Sequence, residues 1–186
     1  MPVSHSPVPD VARMRRTIHA FKPEPPPVAQ LQAALSLACW APNHHRTEPW
    51  RFSLLGAETA LRVADLNAEL VRQKSGEEAA QAKLRRWREM PGWLVVTCQR
   101  SADVQRERED YAATCCVLQN LGLLLWADGI GMKWTTGKVT RDPRFMALVG
   151  ADPDAEMCVG LVWYGYPAEV PVQARRPVAE LMRLLP

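Results

Sequence analysis

Trp40–Phe52, WAPNHHRTEPWRF, is the stretch around which the chain is arranged. An apolar helical segment ends there, a polar loop follows, and Pro49-Trp50 turns the chain into a strand. Two histidines, two arginines, Asn43, Thr47 and Glu48 lie beside Trp40 and Trp50, while Pro42 and Pro49 discourage regular structure. Polar groups held in a constrained loop next to apolar anchors are the makings of a ligand site.

The segment delivering this loop reads as a helix from Val28 to Trp40, with Leu31, Leu35 and Ala38 on one side, after the stiff connection KPEPPP. Upstream, Asp10 can cap a helix whose apolar Val11, Met14 and Ile18 keep helical spacing as far as Lys22, before Pro23. Arg15, Arg16 and Thr17 then fall on its last turns, where two readings compete. Cations there complement the negative end of the helix dipole. Alternatively, adjacent guanidinium forks and a hydroxyl grip a phosphate.

Past the loop, Arg51–Leu55 alternates as a strand, and two helices over Glu58–Lys74 and Glu77–Met90 are separated by Ser75-Gly76. The second carries Ala80, Leu84 and Trp87 on one face and the basic stretch AKLRRWRE. Glu77, Glu78 and Glu89 dilute that charge, so a solvated face with a packing Trp is a simpler reading than contact with RNA or a membrane. A lid over a site is a further alternative. Gly92–Cys98, GWLVVTC, fits a buried strand. A helix starting near Asp103 turns apolar on every side over Tyr111–Ala127, YAATCCVLQNLGLLLWA. It is therefore central to the domain or part of a subunit interface, and Gln119 and Asn120 need partners there. Asp128–Gly131 stops it, and KWTTGK runs extended into Thr135, Thr136 and Gly137, where glycine lets backbone approach a ligand. Asp142, Pro143 and Gly150 bracket a short helix. Glu156–Tyr164 reads as a central strand closed by Gly165-Tyr166-Pro167, and beyond Arg175-Arg176-Pro177 a last helix is expected over Val178–Leu184.

A chain of 186 residues suits one α+β or α/β domain, and its 47% hydrophobic and 23% charged residues leave little room for disorder beyond residues 1–9, expected to be a flexible N-terminus. A net charge of +3 creates no overall field for nucleic acid or a membrane surface. Tyr111–Ala127 is too short to span a bilayer, and the N-terminus has no secretory pattern, so a cytoplasmic location is expected. Five cysteines without C-x-x-C spacing point to reduced core thiols rather than disulfides, the pair Cys115-Cys116 included.

Dinucleotide-binding, P-loop and nucleophile-elbow signatures are all missing from the sequence. Cys39, His44 and His45, with His19, match no common zinc spacing, and Glu48 is their one nearby carboxylate in sequence, so no metal is expected. A Cys39–His44 nucleophile pair would need a thiolate inside an apolar stretch, where it is disfavoured. Cations and hydroxyls spread over Arg15–Thr17, the 43–48 loop, Thr135-Thr136 and Arg175-Arg176 suit a ligand with a phosphate at one end and a flat polar ring at the other.

Arg15-Arg16-Thr17, APNHHRTEPWRF, LQNLGLLLWADGIGMKW and the strand ending GYP before RRPVAEL, taken in this order, resemble the nitroreductase-like FMN flavoproteins over nearly the whole chain. The likeness is to their short, single-domain NAD(P)H nitroreductase branch. It implies an α+β fold with a central, mostly antiparallel sheet flanked by helices. It also implies a homodimer whose long central helices meet at the interface, with FMN sites between subunits. Arg15, Arg16 and Thr17 would then hold phosphate and ribityl oxygens, and Arg175 or Arg176 would complete the phosphate grip. His44, with Trp40 beside it, would face the flavin, and Trp134, Thr135, Thr136 and Gly137 would lie along the isoalloxazine. His19 stands where some relatives carry a lysine near flavin N1 and O2, and if protonated would stabilise reduced flavin. Arg46 and Glu48 depart from the Asn and Gln of many relatives.

The implied function is hydride transfer from NAD(P)H through flavin N5 to an electron-poor acceptor such as a nitroaromatic or quinone, in a ping-pong cycle. The cofactor carries the chemistry, so no catalytic side chain is assigned. A non-catalytic FMN- or nucleotide-binding or sensing module is the alternative, and an RNA-binding protein a more distant one.

Overall fold

The structure, a computed structural model, describes residues 8–186. Five helices and four strands alternate: α1 (Val8–Met14), α2 (Val28–Ala38), β1 (Trp50–Leu54), α3 (Ala57–Arg88), β2 (Gly92–Gln99), α4 (Val104–Ala127), β3 (Gly131–Thr135), α5 (Pro143–Leu148) and β4 (Glu156–Gly165). The strands form one sheet in the order β1-β2-β4-β3, every neighbour antiparallel. GWLVVTC and EMCVGLVWY are thus its two inner strands, which is why both read as nearly unbroken apolar runs.

Alternation along the strands splits the core between the two faces. Leu94, Val96, Val162 and Tyr164 meet α2 and α4 on one side. Trp93, Val95, Leu161 and Trp163 meet α3 and α5 on the other. Trp87, Trp93 and Trp163 pack edge to face there, with Trp87 and Trp163 centred 4.9 Å apart. The tryptophan of AKLRRWRE is consequently a core residue, as the solvated-face reading requires.

Several boundaries differ from the sequence reading. The first helix stops at Met14, not near Lys22, so Arg15, Arg16 and Thr17 lie beyond it and the helix-dipole account of their charge falls. The chain instead runs extended along the free edge of β3, where Thr17 pairs with Met132 and the Ile18 amide donates to the Met132 carbonyl at 3.1 Å. Ile18 is fully buried against Gly131, so tertiary pairing of β-branched residues overrides their helical spacing. Residues 8 and 9 belong to α1 rather than to a flexible end, and residues 1–7 of that expectation lie outside the described ones. The last helix shrinks to a 3-10 turn, Val178–Glu180, with every residue exposed. Without a surface to pack on, so short a helix does not repay its nucleation. By contrast, α3 breaks at Gly76, as its two-helix reading anticipates, because that residue takes φ 83° and ψ 177°.

The long helix is covered on one side only. Ala113, Val117, Leu118, Leu121 and Leu125 are buried, while Tyr111, Ala112, Cys116 and Gln119 are exposed. Gln119 therefore faces outward, and Asn120 donates to the Ala38 carbonyl at 3.3 Å. The thiols are free, but Cys116 is at the surface rather than in the core.

One irregularity in the sheet fixes a candidate site residue. Val96 faces Gly160 while Thr97 faces Cys158, which makes Val159 the extra residue of a bulge in β4. The Val159 carbonyl accepts the Trp134 indole N–H at 3.0 Å. The ring lies over Gly160, where a Cβ would collide with it. Gly160→Ala must therefore displace Trp134 or the strand, and is expected to cost about 1–3 kcal/mol of stability. Urea unfolding followed by tryptophan fluorescence measures this, and unchanged stability would show that the indole does not need that space.

Candidate cofactor site

The loop after α2 is built against its own backbone preferences. His45, Arg46 and Glu48 take φ of 62°, 53° and 45°, left-handed values that non-glycine residues adopt at a cost. Hydrogen bonds hold them there. Asn43 Oδ1 accepts from the Glu48 amide at 2.7 Å, and Asn43 Nδ2 donates to Thr47 Oγ1 at 3.0 Å. Thr47 in turn donates to Asp110 of α4, a carboxylate only 5% exposed. The sequence reading missed Asp110, which looks in the sequence like one more acid in the charged start of α4.

Within this frame Trp40 is 86% exposed and both histidines are at the surface. The two imidazoles lie 3.9 Å apart, centre to centre. Glu109 of α4 joins them, with the candidate ligand atoms of all three within 4.8 Å of one another. The carboxylate near the histidines is thus not limited to Glu48, a contact hidden by the separation of Glu109 from them in sequence. Arg46 and Glu48 line a cavity of about 330 Å³ with Trp40 and Cys39, and among the described residues they form no ion pair with each other. Burial and the Glu48 charge both raise the Cys39 pKa, against a nucleophilic thiolate.

A second group forms around Arg15. Burial lowers its pKa, and the charges of Arg16 and Arg175 lower it further, so the adjacent pair Arg15-Arg16 and a guanidinium from the far end of the chain share one field. Arg16 turns back onto the Arg13 and Arg15 carbonyls at 2.6 and 2.9 Å. Arg15 packs its stem toward Gly122 of α4. Arg176 is exposed.

The third group lies at the end of β3. Trp134 and Thr135 are half-buried, Thr136 and Gly137 exposed. His19 is exposed, and its pKa is lowered by burial, then by Lys133 and Arg86, so the imidazole favours its neutral form until negative charge arrives nearby. Lys133 was overlooked because its neighbour Trp134 carried the motif; strand alternation sends the two to opposite faces. Among the described residues, no hydrogen bond or ion pair joins the Trp40–Glu48 loop to Arg15, Thr17 or His19, or to the end of β3.

The chain is 36% identical over 181 residues to YfhC of Bacillus subtilis, provisionally named an NAD(P)H nitroreductase, covering 95% of this chain and 93% of YfhC. A crystal structure of a nitroreductase-like family protein from Bacillus cereus superposes with a TM-score of 0.86 at 30% identity, covering 100% of this chain and 99% of the other. A Desulfovibrio desulfuricans protein provisionally named a nitroreductase, solved in complex with FMN, has the same fold, with a TM-score of 0.78 at 23% identity over 98% and 99% of the two chains. The sequence profile of the Nitroreductase family matches residues 12–166, and the chain belongs to that family.

Proposed function

We propose that this protein is a cytoplasmic FMN-dependent oxidoreductase that takes electrons from NAD(P)H and passes them, in a ping-pong cycle, to an electron-poor acceptor such as a nitroaromatic or quinone. The observation that carries this reading is the Arg15–Arg16–Arg175 cluster. Three guanidinium groups, one desolvated and repelled by the other two, make a place for a phosphate. Family membership and the FMN held by the Desulfovibrio relative support the same cofactor.

FMN, when bound, supplies two-electron chemistry between nicotinamide and acceptor. The chain's residues bind and tune it. Arg15 and Arg175 hold the phosphate, Arg16 reinforces the field, and the Thr17 hydroxyl takes a ribityl oxygen. The Trp134–Gly137 backbone would lie along the ring, with Trp134 held by its indole bond to the Val159 carbonyl. His19, neutral beside Lys133 and Arg86, can take up a proton as negative charge develops next to it.

Trp40 and His44 complete the site from a second copy of the chain. Their lack of contact with the Arg15 group inside one chain supports this division, as do the exposed stripe of α4 and the exposed apolar Val178, Leu181, Leu184 and Leu185 of the tail.

Purified protein is expected to be yellow and to lose that colour with NADH or NADPH in the absence of air. A yellow protein bleached by neither nicotinamide would make it a binding module instead. Arg15→Gln and Arg175→Gln are each expected to weaken FMN binding about tenfold, the worth of one charge-assisted contact, and flavin fluorescence titration reads the change. Wild-type affinity in both variants would move the phosphate elsewhere. Sedimentation at micromolar concentration should give twice the 20.9 kDa chain mass; a monomer would overturn the shared site.

A further inference from the structure

A cavity of about 360 Å³ opens between α3 and the end of β3, and its charged walls have one sign. Lys74, Lys83, Arg86, Lys133 and Lys138 line it, and among the described residues no Asp or Glu does. Among the described residues none of these five forms an ion pair. Burial lowers the pKa of Lys133, with the charges of Arg86 and Lys83 adding to the effect, so Lys133 faces other cations.

The floor shows the same shortage of acceptors. Asn67 and Trp163 are 7% and 5% exposed and both line the cavity, yet among the described residues Asn67 Nδ2 and Trp163 Nε1 have no hydrogen-bond partner. Two buried donors left open in one cavity are costly unless something completes them. The side chains of Ser75 and Thr135 at the rim add hydroxyls. Only an acceptor-rich, negatively charged group satisfies such a wall. Five cations exceed what a single carboxylate would balance, and the volume reaches the range of small-molecule sites, far beyond a halide.

We propose that this cavity binds the oligophosphate part of a small molecule, a pyrophosphate-class anion, at a site separate from the Arg15 cluster. The separation follows from β3. Met132 and Trp134 join the core on the α4 side, where Arg15 packs near Gly122. Lys133, 5.2 Å from the centre of the Trp163 ring, and Thr135 belong to the opposite face. Thr135 and Gly137 border both this cavity and the segment assigned to the flavin. A nicotinamide dinucleotide held here by its pyrophosphate would therefore lie beside the cofactor, and that choice of source rests on the flavin reading. A free oxyanion is the other source.

Isothermal titration calorimetry of the full chain with inorganic pyrophosphate at low salt tests the site. Lys83→Gln and Lys133→Gln are each expected to weaken binding about tenfold, and Arg85→Gln, the same charge change on α3 outside the cavity, about twofold or less. Circular dichroism confirms that each variant is folded. No heat with the wild type, or equal loss in all three variants, overturns the proposal. Displacement of pyrophosphate by NADH assigns the site to the dinucleotide, while undisturbed pyrophosphate assigns it to a free oxyanion; either upholds the site. A colourless chain that binds pyrophosphate would defeat only the flavin function, and a yellow, bleachable chain that does not bind it would defeat only this inference.

Discussion

Asp110 is a carboxylate almost without solvent, and the loop carrying Trp40, His44 and Glu48 hangs from it through Thr47 and Asn43. Three left-handed residues in four positions are affordable only where surrounding contacts over-determine them. The buried charge is tolerable because hydroxyl and amide donors are aimed at it. Loop and helix thus depend on each other: α4 gains donors for a buried acid, and the loop gains an anchor on a neighbouring helix.

The sheet sorts the chemistry much as it sorts the core. One face of β3 turns toward α4 and the arginine cluster, the other toward α3 and the lysine-lined cavity. The bulge at Val159 is what lets β4 serve both, since it frees a carbonyl for Trp134 while Gly160 leaves space for the ring. The two cationic regions border opposite faces of β3, and the alternation of its side chains keeps them apart.

Much of this was legible beforehand, for identifiable reasons. The inner strands, the helix start near Asp103, the Asp142 cap and the Gly76 break are local signals, and each stands where the residues put it. The fold and family were legible from four motifs in order. The first helix was over-extended because Val11, Met14 and Ile18 keep helical spacing while Ile18 is claimed by the edge of β3, a partner more than a hundred residues away. The last helix failed for want of any surface in the same chain. Lys133, Asp110, Glu109 and Asn67 escaped notice for one shared reason: their meaning lies in neighbours that only folding supplies. The role of each proposed flavin-contacting residue rests on motif correspondence together with the clustering of Arg15, Arg16 and Arg175.

Gly76 interrupts α3 with a backbone conformation that a side chain would strain, so the helix is two rods and a fixed elbow. Lys74 and Ser75 belong to one rod, Lys83 and Arg86 to the other. The spacing of charge across the cavity is therefore an angle stored in one residue, and the breadth of the anion it fits can be retuned there without touching any group that would contact the ligand.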